Sequence, residues 1–349
     1  MAELSLGDPS DIDVDVGPVI DAEAEAGLRD YLARRPARFA LPLRGNTVHG
    51  SFIPPSLIEL GSMAELGREV FGPVLHVLRF DREKLGGLVE ALNATGYGLT
   101  LGVHSRIDET IDFVTSRAHV GNAYVNRNII GAVVGVQPFG GEGLSGTGPK
   151  AGGPLYLRRL MREGPMPRLE GARRDESVLD GFDRLAALPE AAPLAGLLAE
   201  YRAASPLPVA LTLPGPVGET NSLRFAGRGP VLVLAGEMSG LLTGLAAALA
   251  TGNAAIAPPG PEVDRLNARL PTGIRIRTVE DWRAADCAVV LVFTPFDAME
   301  ARKIFAFREG PLVPVIDRIE PAALLRLVAE RTLSVNEAAA GGNAELMTI

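Results

Sequence analysis

Two stretches of the chain alternate short apolar runs with amphipathic helix patterns, and this alternation limits the possible folds more than any other feature. Strands that alternate with helices predict parallel sheets that are covered by helices. The sequence therefore predicts an α/β fold in two successive units. The strands predicted in the first unit are 73–80, 99–104 and 120–125, and those in the second are 231–235, 254–257, 274–279, 288–293 and 312–316.

The helices and turns around these strands also have recognisable signals. Asp21 precedes an acidic first turn and Pro36 follows a basic last turn, which predicts a helix between them. Further helices are predicted after Asp108, as an N-cap, and at residues 241–250 and 322–330. Residues 39–43 and 48–53 indicate a pair of strands, and residues 161–208, rich in Pro, Arg and Ala, indicate a linker with one or two helices.

Charge and composition exclude several classes of protein. The 349 residues carry a formal net charge of -8, and the basic residues cluster only in three Arg-Arg pairs. A surface for nucleic acid or anionic lipid needs a longer run of Lys and Arg, so neither partner is expected. The uncharged run at 238–261 contains glycines and prolines, which favours a buried helix and strand over a membrane span.

Features that indicate a ligand or catalytic site in other proteins are weak evidence here when each is taken alone. The sequence GEGLSG at 141–146 matches a dinucleotide fingerprint, but the prolines and glycines that follow it prevent the helix that such a site requires. Cys287, the single cysteine, begins an apolar run and is predicted to be a core residue. The four histidines have no metal-ligand spacing, so no metal site is predicted.

Four further segments stand out along the first part of the chain. They are GDP at 7–9 with DVGPVI at 15–20, EVFGPV at 69–74, YVNR at 124–127, and PFGGEGLSGTG at 138–148. Together they resemble the C-terminal half of an NAD-dependent aldehyde dehydrogenase. GAVVGVQPF at 131–139 and PKAGGP at 149–154 show a narrower likeness, to the branch that oxidises L-glutamate γ-semialdehyde in the bifunctional proline utilisation A family.

The second unit resembles the extra C-terminal domain that long members of that family carry, which is itself a degenerate aldehyde dehydrogenase fold. RGPVLVL at 228–234 and AAALATGN at 246–253 are similar to the start of a cofactor domain. The loop GEMSG at 236–240 lacks the Asn of active enzymes, and Pro258-Pro259 replaces a cofactor-contacting Lys. The tail at 332–349 resembles a family segment expected to cover the active site or the substrate tunnel.

The resemblance implies a fold class and a domain organisation. The fold is expected to be the C-terminal part of an aldehyde dehydrogenase catalytic domain, followed by a degenerate Rossmann-like parallel α/β domain. The expected divisions are a partial catalytic domain with oligomerisation strands at 1–160, a linker at 161–208 and the degenerate domain at 209–349.

The resemblance also implies roles for five residues. Glu69 is expected to bind the ribose hydroxyls of NAD, and Phe71 is expected to pack against the nicotinamide. Backbone N–H groups of Gly131 and Ala132 are expected to bind the substrate α-carboxylate, beside Phe139. FAD is expected only in the proline dehydrogenase half, which this sequence does not contain.

In the family, the nucleophilic Cys, the general base and the nucleotide-binding domain precede the segment with which this sequence starts, so we expect a fragment without catalytic residues that is inactive alone. Its expected partners are a small-molecule substrate, the missing N-terminal part and further copies in a cytoplasmic homo-oligomer. An alternative hypothesis remains open, in which the chain is a non-catalytic assembly or regulatory module.

Overall fold

The computed structural model describes residues 3–40, 47, 49–130, 132–161, 169 and 172–338. It separates into two compact units, residues 1–95 and residues 96–349, which are described one at a time. The three-part division predicted from the sequence, with boundaries at residues 160 and 208, stays a prediction.

The first unit begins with a helix whose two ends are set by the sequence. Helix α1 (Ala22–Arg34) has Asp21 as its N-cap, and the Asp21 side chain accepts a hydrogen bond from the Ala24 N–H at 2.8 Å. Leu28 and Tyr31 form the buried face of the helix. Acidic residues in the first turn and Arg34 in the last turn suit the helix dipole, so the predicted helix is confirmed.

A three-stranded sheet forms the rest of this unit's framework. Strand β1 (Phe39–Ala40) is antiparallel to β2 (Ser56–Leu60), which is parallel to β3 (Val74–Leu78). The predicted pairing of residues 39–43 with 48–53 is wrong for the described part of that segment, since β1 pairs with β2. Pro54 and Pro55 have no N–H to donate, so the strand starts only after them. Residues 41–46 and 48 lie outside the described residues. Helix α2 (Leu85–Ala94) closes the unit.

The second unit contains most of the secondary structure. Its strands are β4 (Tyr97–Gly98), β5 (Thr100–Val103), β6 (Asn122–Val125), β7 (Glu142–Gly143), β8 (Arg173–Arg174), β9 (Val209–Leu213), β10 (Glu219–Gly227), β11 (Val231–Leu234), β12 (Ala255–Ala257), β13 (Arg277–Thr278), β14 (Val289–Val292), β15 (Val315–Ile316) and β16 (Val328–Asn336). Its α-helices are α3 (Asp108–Arg117), α4 (Tyr156–Leu160), α5 (Asp180–Ala186), α6 (Ala195–Ala204), α7 (Met238–Leu249), α8 (Pro261–Asn267) and α9 (Ala298–Ala306). Asp108 is the first residue of α3, and Ile107 takes the N-cap position that the sequence assigned to Asp108.

One sheet of the second unit has the topology of a doubly wound fold. Its five strands are all parallel, in the order β13-β12-β11-β14-β15. Counted from its first strand, this is the order 3-2-1-4-5 that characterises Rossmann-like sheets. Val231 and Val233 on β11 pack into the apolar core that surrounds α7, and the alternate residues Leu232 and Leu234 pack into a second core around Trp282. Both faces of the sheet are thus covered, and the Rossmann-like prediction is confirmed.

The other large sheet is mixed and joins distant parts of the sequence. Its order is β5-β6-β16-β10-β9-β8, so that β16 lies between β6, to which it is parallel, and β10, to which it is antiparallel. The helix predicted at 322–330 is wrong beyond its first half, because a 3-10 helix (Pro321–Arg326) is followed directly by β16. From Glu330 to Val335 buried and half-buried residues alternate along β16, as expected for a strand with one buried face.

Candidate functional site

A glycine-rich loop of the second unit, residues 138–151, is fixed by one buried side chain. Asn122, at the start of β6, donates from Nδ2 to the Pro138 carbonyl at 3.0 Å. Its Oδ1 accepts from the Gly140 N–H at 3.2 Å and from Lys150 Nζ at 2.7 Å. A Cβ added at Gly121 would lie 1.9 Å from the Gly140 oxygen, so only glycine allows the loop to approach this closely.

Lys150 is the buried charge of this loop. Its side chain is 2% exposed, and Nζ donates to Asn122 Oδ1 and, at 2.6 Å, to the Gly140 carbonyl. Burial lowers the pKa of Lys150 to about 8, although the nearby Glu330 and Glu142 act in the opposite direction. The Glu330 carboxylate accepts from the Lys150 backbone N–H at 2.7 Å, and burial raises the pKa of Glu330. The sequence patterns assigned no role to Lys150. The signal that could have identified it as a site residue is its position within the PKAGGP segment.

The segment expected to bind a substrate carboxylate lies just before this loop. Gly131 is outside the described residues, and Ala132 is half-buried. Among the described residues, none accepts a hydrogen bond from the Ala132 N–H. Gln137 braces the segment, because its Oε1 accepts from the Val133 N–H at 2.9 Å while its Nε2 donates to Glu219 at 2.8 Å. The backbone of half-buried Phe139 exchanges two hydrogen bonds with Ala151.

The two residues expected to bind NAD lie on a surface turn of the first unit. Glu69 is exposed, and Phe71 is 77% exposed, which is unusual for a phenylalanine. Gly72 has a positive φ, and a Cβ added there would lie 2.6 Å from Leu28 Cδ1 of α1. The turn is therefore packed closely on α1 while the Glu69 and Phe71 side chains stay available to a ligand.

The Gly141–Gly146 motif does not form a phosphate-binding turn. Its Glu142 and Gly143 form β7, which pairs with β4 in a two-stranded ribbon. No helix follows the motif directly, since α4 begins only at Tyr156, as the glycines and prolines predicted.

The Rossmann-like sheet has a contact between two loops at the place where such folds hold a dinucleotide. Ligands bind there where the strand order reverses, at the carboxyl ends of β11 and β14. Here the Gly236 N–H donates to the Thr294 carbonyl at 3.1 Å, and a Cβ added at Gly236 would lie 2.4 Å from Pro295 Cδ. Glu237 precedes α7 and would repel a phosphate at the helix N-terminus. The contact and the charge make this end of the sheet a poor match for a dinucleotide.

Cys287 is a core residue, as predicted. It packs in the apolar core around Trp282, and burial raises the pKa of its thiol to about 11. Within the described ranges, no group of three His, Cys, Asp or Glu side chains is placed to hold a metal ion. None of the helices in the described part of the chain has the length and apolar content needed to span a bilayer.

Comparison with known proteins relates the chain to aldehyde dehydrogenases. Residues 1–163 match the model of the aldehyde dehydrogenase family, and this part of the chain belongs to that family. Over its whole length the chain is similar to the bifunctional protein PutA of Escherichia coli (strain K12), with 45% identity over 382 aligned positions. The alignment covers 100% of this chain but only 29% of PutA.

Two further relatives are a dehydrogenase and a solved structure. A 1-pyrroline-5-carboxylate dehydrogenase of Geobacillus sp. (strain WCH70) is 39% identical over 160 residues, which are 44% of this chain and 30% of that protein. The crystal structure of proline utilization A from Corynebacterium freiburgense covers 96% of this chain and 33% of its own, with a TM-score of 0.64 and 21% identity. The structural match supports the fold alone: the C-terminal part of an aldehyde dehydrogenase domain followed by a degenerate Rossmann-like unit.

Proposed function

We propose that this chain supplies the C-terminal part of an NAD-dependent L-glutamate γ-semialdehyde dehydrogenase of proline catabolism. The intact enzyme converts the aldehyde, NAD⁺ and water into L-glutamate and NADH. The observation that carries the proposal is the 39% identity, over 160 residues, to a 1-pyrroline-5-carboxylate dehydrogenase. Residues 1–163, which match the aldehyde dehydrogenase family, include every residue to which a ligand role is assigned.

On this proposal, the braced segment before the glycine-rich loop holds the substrate. The Ala132 N–H, together with that of Gly131, donates to the α-carboxylate of L-glutamate γ-semialdehyde. Gln137 fixes the segment, so that the donors need little reorganisation when the anion arrives. Phe139, whose backbone is held by Ala151, places its ring along the aliphatic chain of the substrate.

Glu69 and Phe71 hold the cofactor on this proposal. When bound, NAD⁺ accepts a hydride from the aldehyde carbon. An exposed carboxylate can accept two hydrogen bonds from a ribose diol, and the exposed Phe71 ring offers an apolar face to the nicotinamide. The contact between Gly236 and Thr294 and the charge of Glu237 make the Rossmann-like sheet a poor match for a dinucleotide, so we assign it no cofactor.

The chain alone is proposed to be inactive. Covalent aldehyde oxidation needs a thiolate that can reach the substrate, and the pKa of the buried Cys287 is raised to about 11. The nucleophile then comes from the N-terminal part of the same enzyme, and FAD from a proline dehydrogenase part outside this sequence. We further propose a cytoplasmic homo-oligomer as the working form.

The proposal is tested by reconstitution. The 349-residue chain is assayed alone for NADH formation with L-glutamate γ-semialdehyde, and then after co-expression with the coding segment that precedes it. We expect activity only in the second case. A reconstituted complex that leaves this aldehyde unoxidised would falsify the assignment.

The cofactor role of Glu69 is tested in the same complex. Glu69→Gln should raise the KM for NAD⁺ about 10-fold or more, because a charge-assisted hydrogen bond contributes roughly 1.5–3 kcal/mol. Glu90→Gln removes an equally exposed carboxylate from α2 and should leave the KM unchanged. Equal KM values for the two variants would remove Glu69 from the cofactor site.

A non-catalytic role is the second candidate, and one observation favours it for the second unit in particular. The Gly236 N–H donates to the Thr294 carbonyl where a dinucleotide would bind, and Glu237 lies beside this contact, so we propose that the Rossmann-like sheet acts as a scaffold on either hypothesis. Activity of the reconstituted complex decides between an enzyme portion and a purely structural module.

A further inference from the structure

A cavity of about 330 Å³ in the second unit has a strongly cationic lining. Its walls come from the end of the glycine-rich loop, from α4 and from residues 314–330, and we call it the arginine cavity. Six cationic side chains face three carboxylates. The charged lining residues are Lys150, Arg158, Arg159, Arg228, Arg318 and Arg326, with Glu142, Glu320 and Glu330.

The arginines of this cavity have few partners. Arg228 donates to the carbonyls of Thr147 and Arg326, and its contacts include no carboxylate within ion-pair distance in the described part of the chain. The buried Nε atoms of Arg158 and Arg326 have no hydrogen-bond acceptor among the described residues. Surface arginines elsewhere are commonly paired, as Arg265 is with Glu262 at 3.1 Å. Buried donors without acceptors cost free energy, so the described residues leave these two guanidinium groups incompletely paired.

These cations also oppose one another. Burial is the main cause that lowers the pKa of Arg228, and the charges of Arg159 and Arg326 lower it further. Burial and the charge of Arg159 likewise lower the pKa of Arg326. Like charges that approach one another in a partly enclosed space bind an anion more strongly than isolated surface arginines do.

The carboxylates of the cavity offset only part of this field, since three of them line it beside six cations. Glu142 is engaged by Arg331, whose guanidinium lies 3.0 Å from its Oε1. Glu330 is buried and accepts a hydrogen bond from the Lys150 backbone N–H, and burial raises its pKa.

We propose that the arginine cavity binds a small molecule that carries a doubly charged oxyanion, either a phosphate or a pair of carboxylates. Guanidinium groups match the planar and tetrahedral oxygen arrangements of these anions through paired N–H donors. The volume suits a small metabolite rather than a macromolecule. The inference does not depend on the dehydrogenase activity, because no residue assigned to substrate or NAD lines this cavity.

The test is isothermal titration calorimetry of the complete 349-residue chain with inorganic phosphate and, separately, with malonate. Arg326→Gln and Arg159→Gln should each weaken binding at least about tenfold, the equivalent of losing one charge-assisted hydrogen bond. Arg265→Gln removes the same charge from α8, outside the cavity, and should bind as the unmodified chain does. Tighter binding of phosphate than of malonate identifies a phosphorylated ligand, and the reverse order identifies a dicarboxylate.

Two results would overturn the proposal. One is the absence of binding by either anion at concentrations up to about 10 mM, which is weaker than small-molecule sites usually bind. The other is equal weakening by Arg159→Gln and Arg265→Gln, since that result indicates non-specific attraction. Because Arg159 is exposed, its variant should keep the native Trp282 fluorescence even if Arg326→Gln does not fold.

Discussion

The buried Lys150 makes a quantitative prediction about stability and pH. In an unfolded chain a lysine has a pKa near 10.5, whereas in the folded protein burial lowers the pKa of Lys150 to about 8. Between these two values the unfolded state binds a proton that the folded state does not bind. The free energy of unfolding therefore rises as the pH increases from about 8 to about 10.5, by about 1.4 kcal/mol per pH unit and roughly 3 kcal/mol in all.

The substitution that isolates this effect is Lys150→Met, which keeps the length of the side chain and removes the charge. It leaves the Gly140 carbonyl without the Lys150 donor, at a cost of about 1–3 kcal/mol that does not depend on pH. Other groups, such as Tyr201 and Cys287, titrate in both proteins and cancel in the comparison. The difference in stability between the two proteins should therefore change with pH as Lys150 alone dictates.

The assay is urea unfolding at several pH values between 7.5 and 10.5. It is followed by the fluorescence of Trp282, the single tryptophan, which lies in the same unit as Lys150. We expect the stability of the unmodified chain, relative to Lys150→Met, to increase by about 3 kcal/mol across this range. Parallel stability curves for the two proteins would refute the reasoning, because they would mean that Lys150 keeps its ordinary pKa when folded.

Two further predictions concern the core of the second unit. Gly244→Ala in α7 should destabilise the unit by about 1–3 kcal/mol, because the added Cβ would lie 2.5 Å from Val233 Cγ1. Gly196→Ala in α6 meets nothing within 4 Å and should instead stabilise the unit by up to about 1 kcal/mol; urea midpoints of the two variants are compared. The Cys287 thiol, with a pKa of about 11, should react with a disulfide reagent at pH 7.5 only after unfolding, and rapid reaction of the native chain would show it to be accessible.

Local sequence signals predicted the elements whose stability is local. Helix α1 was identified from its Asp21 cap and its charged ends, and the succession β11-α7-β12 from short apolar runs bounded by glycine. The strand β16 was mistaken in part for a helix, because its partners in β6 and β10 are remote in sequence and impose the extended conformation. The pairing of β1 with β2 was also missed, because the pattern at 48–53 is equally compatible with a strand.

Prediction of the candidate sites was limited in the same way, because contacts between residues remote in sequence were not predicted. Family resemblance predicted ligand roles for Glu69, Phe71, Gly131, Ala132 and Phe139, but it carried no information on how the loop is braced. The Arg158-Arg159 pair is visible in the sequence, where it is too short to indicate a surface for nucleic acid or anionic lipid. Its significance emerges only when Arg228 and Arg326, from other elements, approach it in three dimensions.

The central position of β16 has a consequence for the synthesis of the protein. Strand β6 is buried along all four of its residues, yet its neighbour in the sheet begins more than 200 positions later in the chain. After β10 has left the ribosome, roughly 100 more residues must be made before β16 is complete, which takes about 5–20 s. During that interval the facing edges of β6 and β10 have no strand between them. An unpaired strand edge is a template for incorrect association, so this interval is the time at which the nascent chain most needs a chaperone.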